Sequence, residues 1–217
     1  MKHLNPRNVK NIAKILEILA LTYPDAKCEL NFKNPWELLI ATILSAQTTD
    51  QKVNKVTAEL FSLCPSAEKM LKLKPSELER IIKPLGLFRS KAKYILQTNE
   101  ILVHEYSGLV PSTMEELIRL PGVGRKTAGV VLANAFGIPA FPVDTHVLRV
   151  ANRLGLSQTS NPLQVEKDLT ALIEEKQWII NHHRFIFHGR RICLAKKPRC
   201  LNCPLTPFCP TFNTFNL

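Results

Sequence analysis

The chain has 217 residues, 45% of them hydrophobic, and a formal net charge of +11, which is enough apolar mass for one large domain or two lobes. A basic surplus of that size points to a polyanionic partner, nucleic acid ahead of an acidic membrane. No apolar run approaches the ~18 residues of a membrane span, and residues 1–10 carry no apolar signal segment, so a cytosolic protein is expected.

Only 8 glycines occur, and apolar residues recur at three- and four-residue spacings, the periodicity of helices rather than strands. Val9, Ile12, Leu16 and Leu19 form the first stripe. Asn34 and Pro35, with Glu37 three residues after the cap, open a second through Trp36, Leu39, Ile40, Ile43 and Leu44. Val53, Val56, Leu60 and Phe61 run towards Pro65, and Leu78, Ile81 and Ile82 stop at Pro84. Ile95, Leu96, Leu102 and Val103 follow, ending near Gly108. Ser112 and Glu115 read as a capping box ahead of Leu117. Later helices are expected over about 144–154, 162–176 and 178–193. The fold class expected is all-α.

Leu120-Pro121-Gly122-Val123-Gly124-Arg125-Lys126 interrupts this pattern, and Thr127 to Leu132 restarts it. The glycines allow positive φ and a close approach of an anion to the main chain. A helix starting near Gly124 would aim its free N–H groups at a phosphate. A hairpin of this kind, Gly122, Gly124 and Arg125 included, grips the backbone without reading base edges, so no sequence preference is expected. Arg125, Arg149 and Arg153 would add salt-sensitive attraction nearby. Lys126 lies in the first turn of that helix, where a positive terminus disfavours the ammonium form and so favours an amine nucleophile. Asp144 follows 18 residues later, in Pro142-Val143-Asp144-Thr145-His146, at an expected helix start.

Six cysteines in a cytosolic chain argue against a disulfide framework. Four stand together at the C-terminal end, as Cys193-x6-Cys200-x2-Cys203-x5-Cys209. Four thiolates hold zinc or an iron–sulfur cluster, but zinc ribbons pair two short knuckles and only the middle gap here is short. Lys196, Lys197 and Arg199 lie in the first gap, on a loop suited to a phosphate. His182, His183 and His188 lack carboxylate partners at ligand spacing, and their aromatic neighbours point to a packed helix.

The hairpin with Lys126, the Val143-Asp144-Thr145-His146 segment and the cysteine spacing together resemble the endonuclease III family. These are bifunctional glycosylase/AP lyases of the helix-hairpin-helix superfamily. The likeness extends over nearly the whole chain, including Leu44-Ser45-Ala46-Gln47-Thr48-Thr49-Asp50 and Leu85-Gly86-Leu87. It implies that Lys126 attacks the sugar C1′, displaces an oxidised pyrimidine and forms a Schiff base that permits β-elimination. Asp144 matches the catalytic carboxylate. Gln47 and Leu87 match residues that enter the duplex where the base has left, and Cys193, Cys200, Cys203 and Cys209 match ligands of a 4Fe–4S cluster. The chain departs from the family's commoner residues at Gln47-Thr48-Thr49 and Gln51-Lys52.

The resemblance implies two lobes: a helical bundle over 26–134 with the hairpin, and a second lobe from 1–25 and 135–217 with Asp144 and the cluster. Double-stranded damaged DNA is the expected partner, in a groove between the lobes, and the protein is expected to be a monomer. An adenine glycosylase of the same superfamily would lack the lysine and carry a further C-terminal domain. A non-catalytic DNA-binding module leaves the Lys126–Asp144 pair unexplained, and an electron-transfer protein leaves the basic hairpin unexplained.

Overall fold

The apolar stripes become eleven helices among residues 10–214, the residues that this computed structural model describes. Val9, from the first stripe, lies outside them. No strand occurs among the described residues, and no helix among them is long and apolar enough to cross a membrane. The all-α expectation holds.

The chain divides into two compact units, Cys28–Ile138 and a second made from the segment ending at Lys27 together with Pro139 onward. In the first, α2 (Pro35–Leu44) is the central element. Every residue from Trp36 to Leu44 is buried, as expected of a helix that is apolar on all sides. Asn34 caps it by accepting from the Glu37 N–H at 2.9 Å. The Glu37 carboxylate turns back to accept from the Lys33 N–H at 2.6 Å. Around α2 pack α3 (Asp50–Leu63), α4 (Ala67–Leu71), α5 (Pro75–Ile82), α6 (Phe88–Tyr106), α7 (Met114–Leu117) and α8 (Arg125–Ala135). Trp36 Nε1 donates to Asn99 Oδ1 of α6 at 2.7 Å, satisfying two buried polar groups at once.

One cap moves. The helix before the hairpin is capped by Thr113, which accepts from the Glu116 N–H at 3.3 Å and donates to Glu116 Oε2 at 2.6 Å. Ser112 and Glu115 are the pair expected from sequence. Ser112 and Thr113 each precede a glutamate by three residues, so the capping motif is doubled and the backbone bend chooses between them.

The second unit contains α1 (Ile12–Thr22), α9 (Thr145–Arg153), α10 (Pro162–Leu172) and α11 (Trp178–Arg191). Ile15, Leu19, Phe141, Val147, Val150 and Phe185 are among its core residues. The helix expected over about 162–176 ends earlier, at Leu172. Ile173 is extended, and its carbonyl accepts from Trp178 Nε1 at 2.8 Å. Short 3-10 turns at Cys200–Asn202 and Thr206–Phe208 carry the chain through the cysteine segment.

Candidate functional site

Pro121 and Gly122 form a tight turn between α7 and α8, closed by Val123 N–H to Leu120 C=O at 3.1 Å. Gly122 has φ +76°, and a Cβ there would lie 3.0 Å from the Tyr94 side chain of α6. Both the backbone conformation and the packing therefore require glycine. Thr98, one turn further along α6, donates to the Pro121 carbonyl at 2.9 Å. The hairpin is thus seated on α6 from below. Its outer side is open: Gly122, Gly124, Arg125 and Lys126 are exposed, and nothing approaches a Cβ built on Gly124. The N-terminus of α8, where the N-cap Gly124 provides no side-chain cap, and the Lys126 amine share this open end.

In the other unit Asp144 is the N-cap of α9. One carboxylate oxygen, Oδ1, accepts from the N–H groups of His146 and Val147, each at 2.8 Å. The cap fixes the carboxylate's orientation, and Oδ2 takes no part in it. His146, half-buried beside it, has its imidazolium form disfavoured by burial, the Asp144 charge opposing that effect.

The two loops carrying Gln47 and Leu87 share an unusual backbone. Among the described residues only four non-glycine residues have positive φ: Gln47 at 54°, Leu87 at 48°, Ser107 at 53° and Lys197 at 49°. A left-handed conformation costs an L-residue roughly 1–2 kcal/mol, and such strain collects at functional positions. Leu87 is also 57% exposed, an apolar side chain presented to solvent by a strained backbone. Three of the four residues belong to the set singled out by sequence for contact with DNA.

Cys193, Cys200, Cys203 and Cys209 line a single cavity, together with Arg153 and His188. Among the described residues no three His, Cys, Asp or Glu side chains are gathered as ligands of one metal ion. Burial first, then the neighbouring cysteines, push the Cys200 thiol up, and burial dominates the same upward shift at Cys203. Lys196, Lys197 and Arg199 are exposed on the loop between the first two cysteines.

Residues 40–175 match the HhH-GPD superfamily of base excision DNA repair proteins. Endonuclease III of Rickettsia felis is 48% identical over 203 residues, covering 94% of this chain and 95% of its own. Two solved structures, a non-covalent endonuclease III–DNA complex and a trapped endonuclease III–DNA covalent intermediate, each superpose with a TM-score of 0.92 at 46% identity. Each match covers 95% of this chain and 97% of the other. The chain belongs to the endonuclease III family.

Several groups in this endonuclease III-family chain make contacts that the sequence did not announce. Arg149 and Arg153, expected to attract phosphate, hold the cysteine segment. Arg149 Nε donates to the Cys193 carbonyl at 2.9 Å, and Arg153 donates to the carbonyls of Leu194 at 2.7 Å and Ala195 at 3.0 Å. Arg153 Nη1 also lies 3.4 Å from Cys193 Sγ. The histidine helix is packed as expected, with His182, His183 and His188 all buried. His188 nevertheless touches the cysteines: its Nε2 is 3.7 Å from Cys203 Sγ, and its Nδ1 bonds the Tyr23 hydroxyl at 3.0 Å. Thr98 and Tyr94 give no signal in the sequence because their partners are more than twenty residues away. Lys91 leaves a trace there, since it occupies the apolar face of α6 between Phe88 and Ile95.

Proposed function

We propose that this protein is a bifunctional DNA glycosylase/AP lyase of base excision repair that removes oxidised pyrimidines from duplex DNA. The observation that carries the reading is Lys126, exposed in the first turn of α8 at an open helix N-terminus, in a chain closely similar to one trapped covalently on DNA. The helix terminus and the Gly122–Gly124 main chain bind a backbone phosphate. The target nucleotide leaves the stack, and Gln47 and Leu87 enter the space it vacates, Gln47 bonding the orphaned base while Leu87 wedges.

Lys126 Nζ attacks C1′ as the bond from C1′ to the base breaks, and the base departs with its electron pair and takes a proton from solvent. Asp144, held by its cap, stabilises the positive charge developing on the sugar and accepts the proton that the lysine amine loses. The C1′–O4′ bond then breaks, the ring oxygen takes up the proton held by Asp144, and a Schiff base forms between Lys126 and C1′. Loss of a proton from C2′ then expels the 3′ phosphate by β-elimination, and water releases the enzyme.

The cysteine cavity suits a 4Fe–4S cluster. Four cysteines line one space, and only the middle of the three gaps between them has the short spacing of a zinc knuckle, which favours a multinuclear cluster over zinc. Arg153 and His188 stand beside two of the sulfurs, as neighbouring donors that tune such a site. When bound, the cluster supplies a rigid four-point cross-link. That cross-link stiffens the loop bearing Lys196, Lys197 and Arg199, which presses on a backbone phosphate.

Incubation with a duplex carrying an abasic site and borohydride tests the reading. The parent protein forms a covalent adduct, and Lys126→Gln loses it while retaining DNA binding within a few-fold. A protein that binds but neither traps nor nicks, or a Lys126→Gln variant that still traps, overturns the assignment.

A further inference from the structure

Lys91 is a buried lysine, 3% exposed, for which the reaction above has no use. Its Nζ donates to Thr48 Oγ1 at 3.0 Å and to the Leu85 carbonyl at 3.0 Å. The Thr48 hydroxyl in turn donates to the same Leu85 carbonyl at 2.6 Å. Thr48 is the residue after Gln47, and Leu85 is two before Leu87. Each strained residue therefore has an anchor beside it in sequence, and the two anchors are bonded to one another and to a single ammonium. The main-chain N–H of Lys91 also donates to the Leu87 carbonyl at 3.0 Å, closing the first turn of α6. Burial disfavours the Lys91 ammonium, a cost a surface lysine would avoid. Left-handed conformations at Gln47 and Leu87 persist only where the surroundings over-determine them, and the bonds among Lys91, Thr48 and Leu85 join the two loops directly.

We propose that Lys91 is a positioning residue that, with Thr48, clamps the Gln47 and Leu87 loops into one preformed wedge for opening the base stack. The inference rests on the reading that Gln47 and Leu87 enter the duplex. Preorganisation matters here because ordering two loops during insertion would subtract from the binding energy that drives the base out.

The test uses single-turnover excision of an oxidised pyrimidine from duplex DNA, with 2-aminopurine placed beside the lesion to report unstacking. Cleavage of an abasic site in single-stranded DNA, which needs no wedge, is measured in parallel. Lys91→Met is expected to lower both duplex signals at least tenfold and to leave single-strand cleavage within about threefold of the parent. Lys91→Arg recovers part of the loss, and Thr48→Ala gives a smaller loss of the same kind. Gln47→Ala and Leu87→Ala must also lower the unstacking signal. If they do not, the wedge reading fails and this inference with it. If they do and Lys91→Met matches the parent, the clamp alone is refuted. An equal loss on single-stranded DNA makes Lys91 a general structural residue and also refutes it. Should Lys91→Met fail to fold, Thr48→Ala decides: parent-like unstacking overturns the proposal.

Discussion

Asp144 shows how one carboxylate can serve as both a helix cap and a reactive group. Its Oδ1 satisfies two N–H groups of α9, so capping by itself would account for an aspartate there. Substitution separates the two roles. Asp144→Asn keeps an oxygen at the capping position, and its stability is expected to stay within about 0.5 kcal/mol of the parent, whereas Asp144→Ala loses about 1 kcal/mol. Excision by Asp144→Asn nevertheless falls by a factor of roughly 10² or more, because an amide neither takes a proton nor carries the opposing charge. Urea unfolding and single-turnover excision, run on both variants, measure the two effects. Equal excision by Asp144→Asn and the parent would leave only the cap.

The cysteine segment shows how an element made mostly of turns acquires a fixed shape. Arg149 and Arg153 of α9 donate to successive carbonyls of Cys193, Leu194 and Ala195. Thr206 Oγ1 bridges the carbonyls of Cys200 at 2.9 Å and Cys203 at 2.8 Å. Lys197 is held at positive φ within the exposed basic stretch. Converting Lys196, Lys197 and Arg199 together to alanine is expected to weaken binding to all duplexes alike. The dependence of log K on log salt should flatten by about 0.9 for each phosphate that the loop ceases to neutralise. Fluorescence anisotropy across a salt series provides the measurement, and an unchanged slope would remove the loop from the DNA-binding surface. The basic residues and their cysteine flanks were legible in sequence. The holding arginines were not, because a guanidinium facing carbonyls and one facing phosphate look alike until their partners are placed.

At the scale of the whole molecule, the buried histidines make stability sensitive to acid. Burial, with Arg190 adding to it, pushes His183 down to about 4 from its ordinary value of 6.5. The folded protein therefore holds the neutral ring, while the unfolded chain takes up a proton below pH 6.5. Stability from this residue is fully present above that value and is lost as pH falls towards about 4, by of order 2 kcal/mol at pH 5. His183→Gln should unfold with a shallower acid dependence than the parent, as read from urea midpoints at pH 7 and pH 5. Parallel pH profiles would show that His183 is solvated in the folded state.

Helical spacing, the Pro-Gly-x-Gly turn, the cysteine spacing and the Lys126 and Asp144 positions are all local patterns, and the sequence alone was sufficient to read them. Backbone periodicity and turn chemistry act over a few residues, so they survive without any knowledge of packing. Tertiary structure decided the rest: that Tyr94 demands glycine at 122, that α10 yields its last turn to Trp178, and that a lysine on the apolar face of α6 ties together loops 37 residues apart. Those choices depend on which distant groups meet in a dry interior, where an unmet donor or acceptor is costly, and no local pattern encodes that meeting.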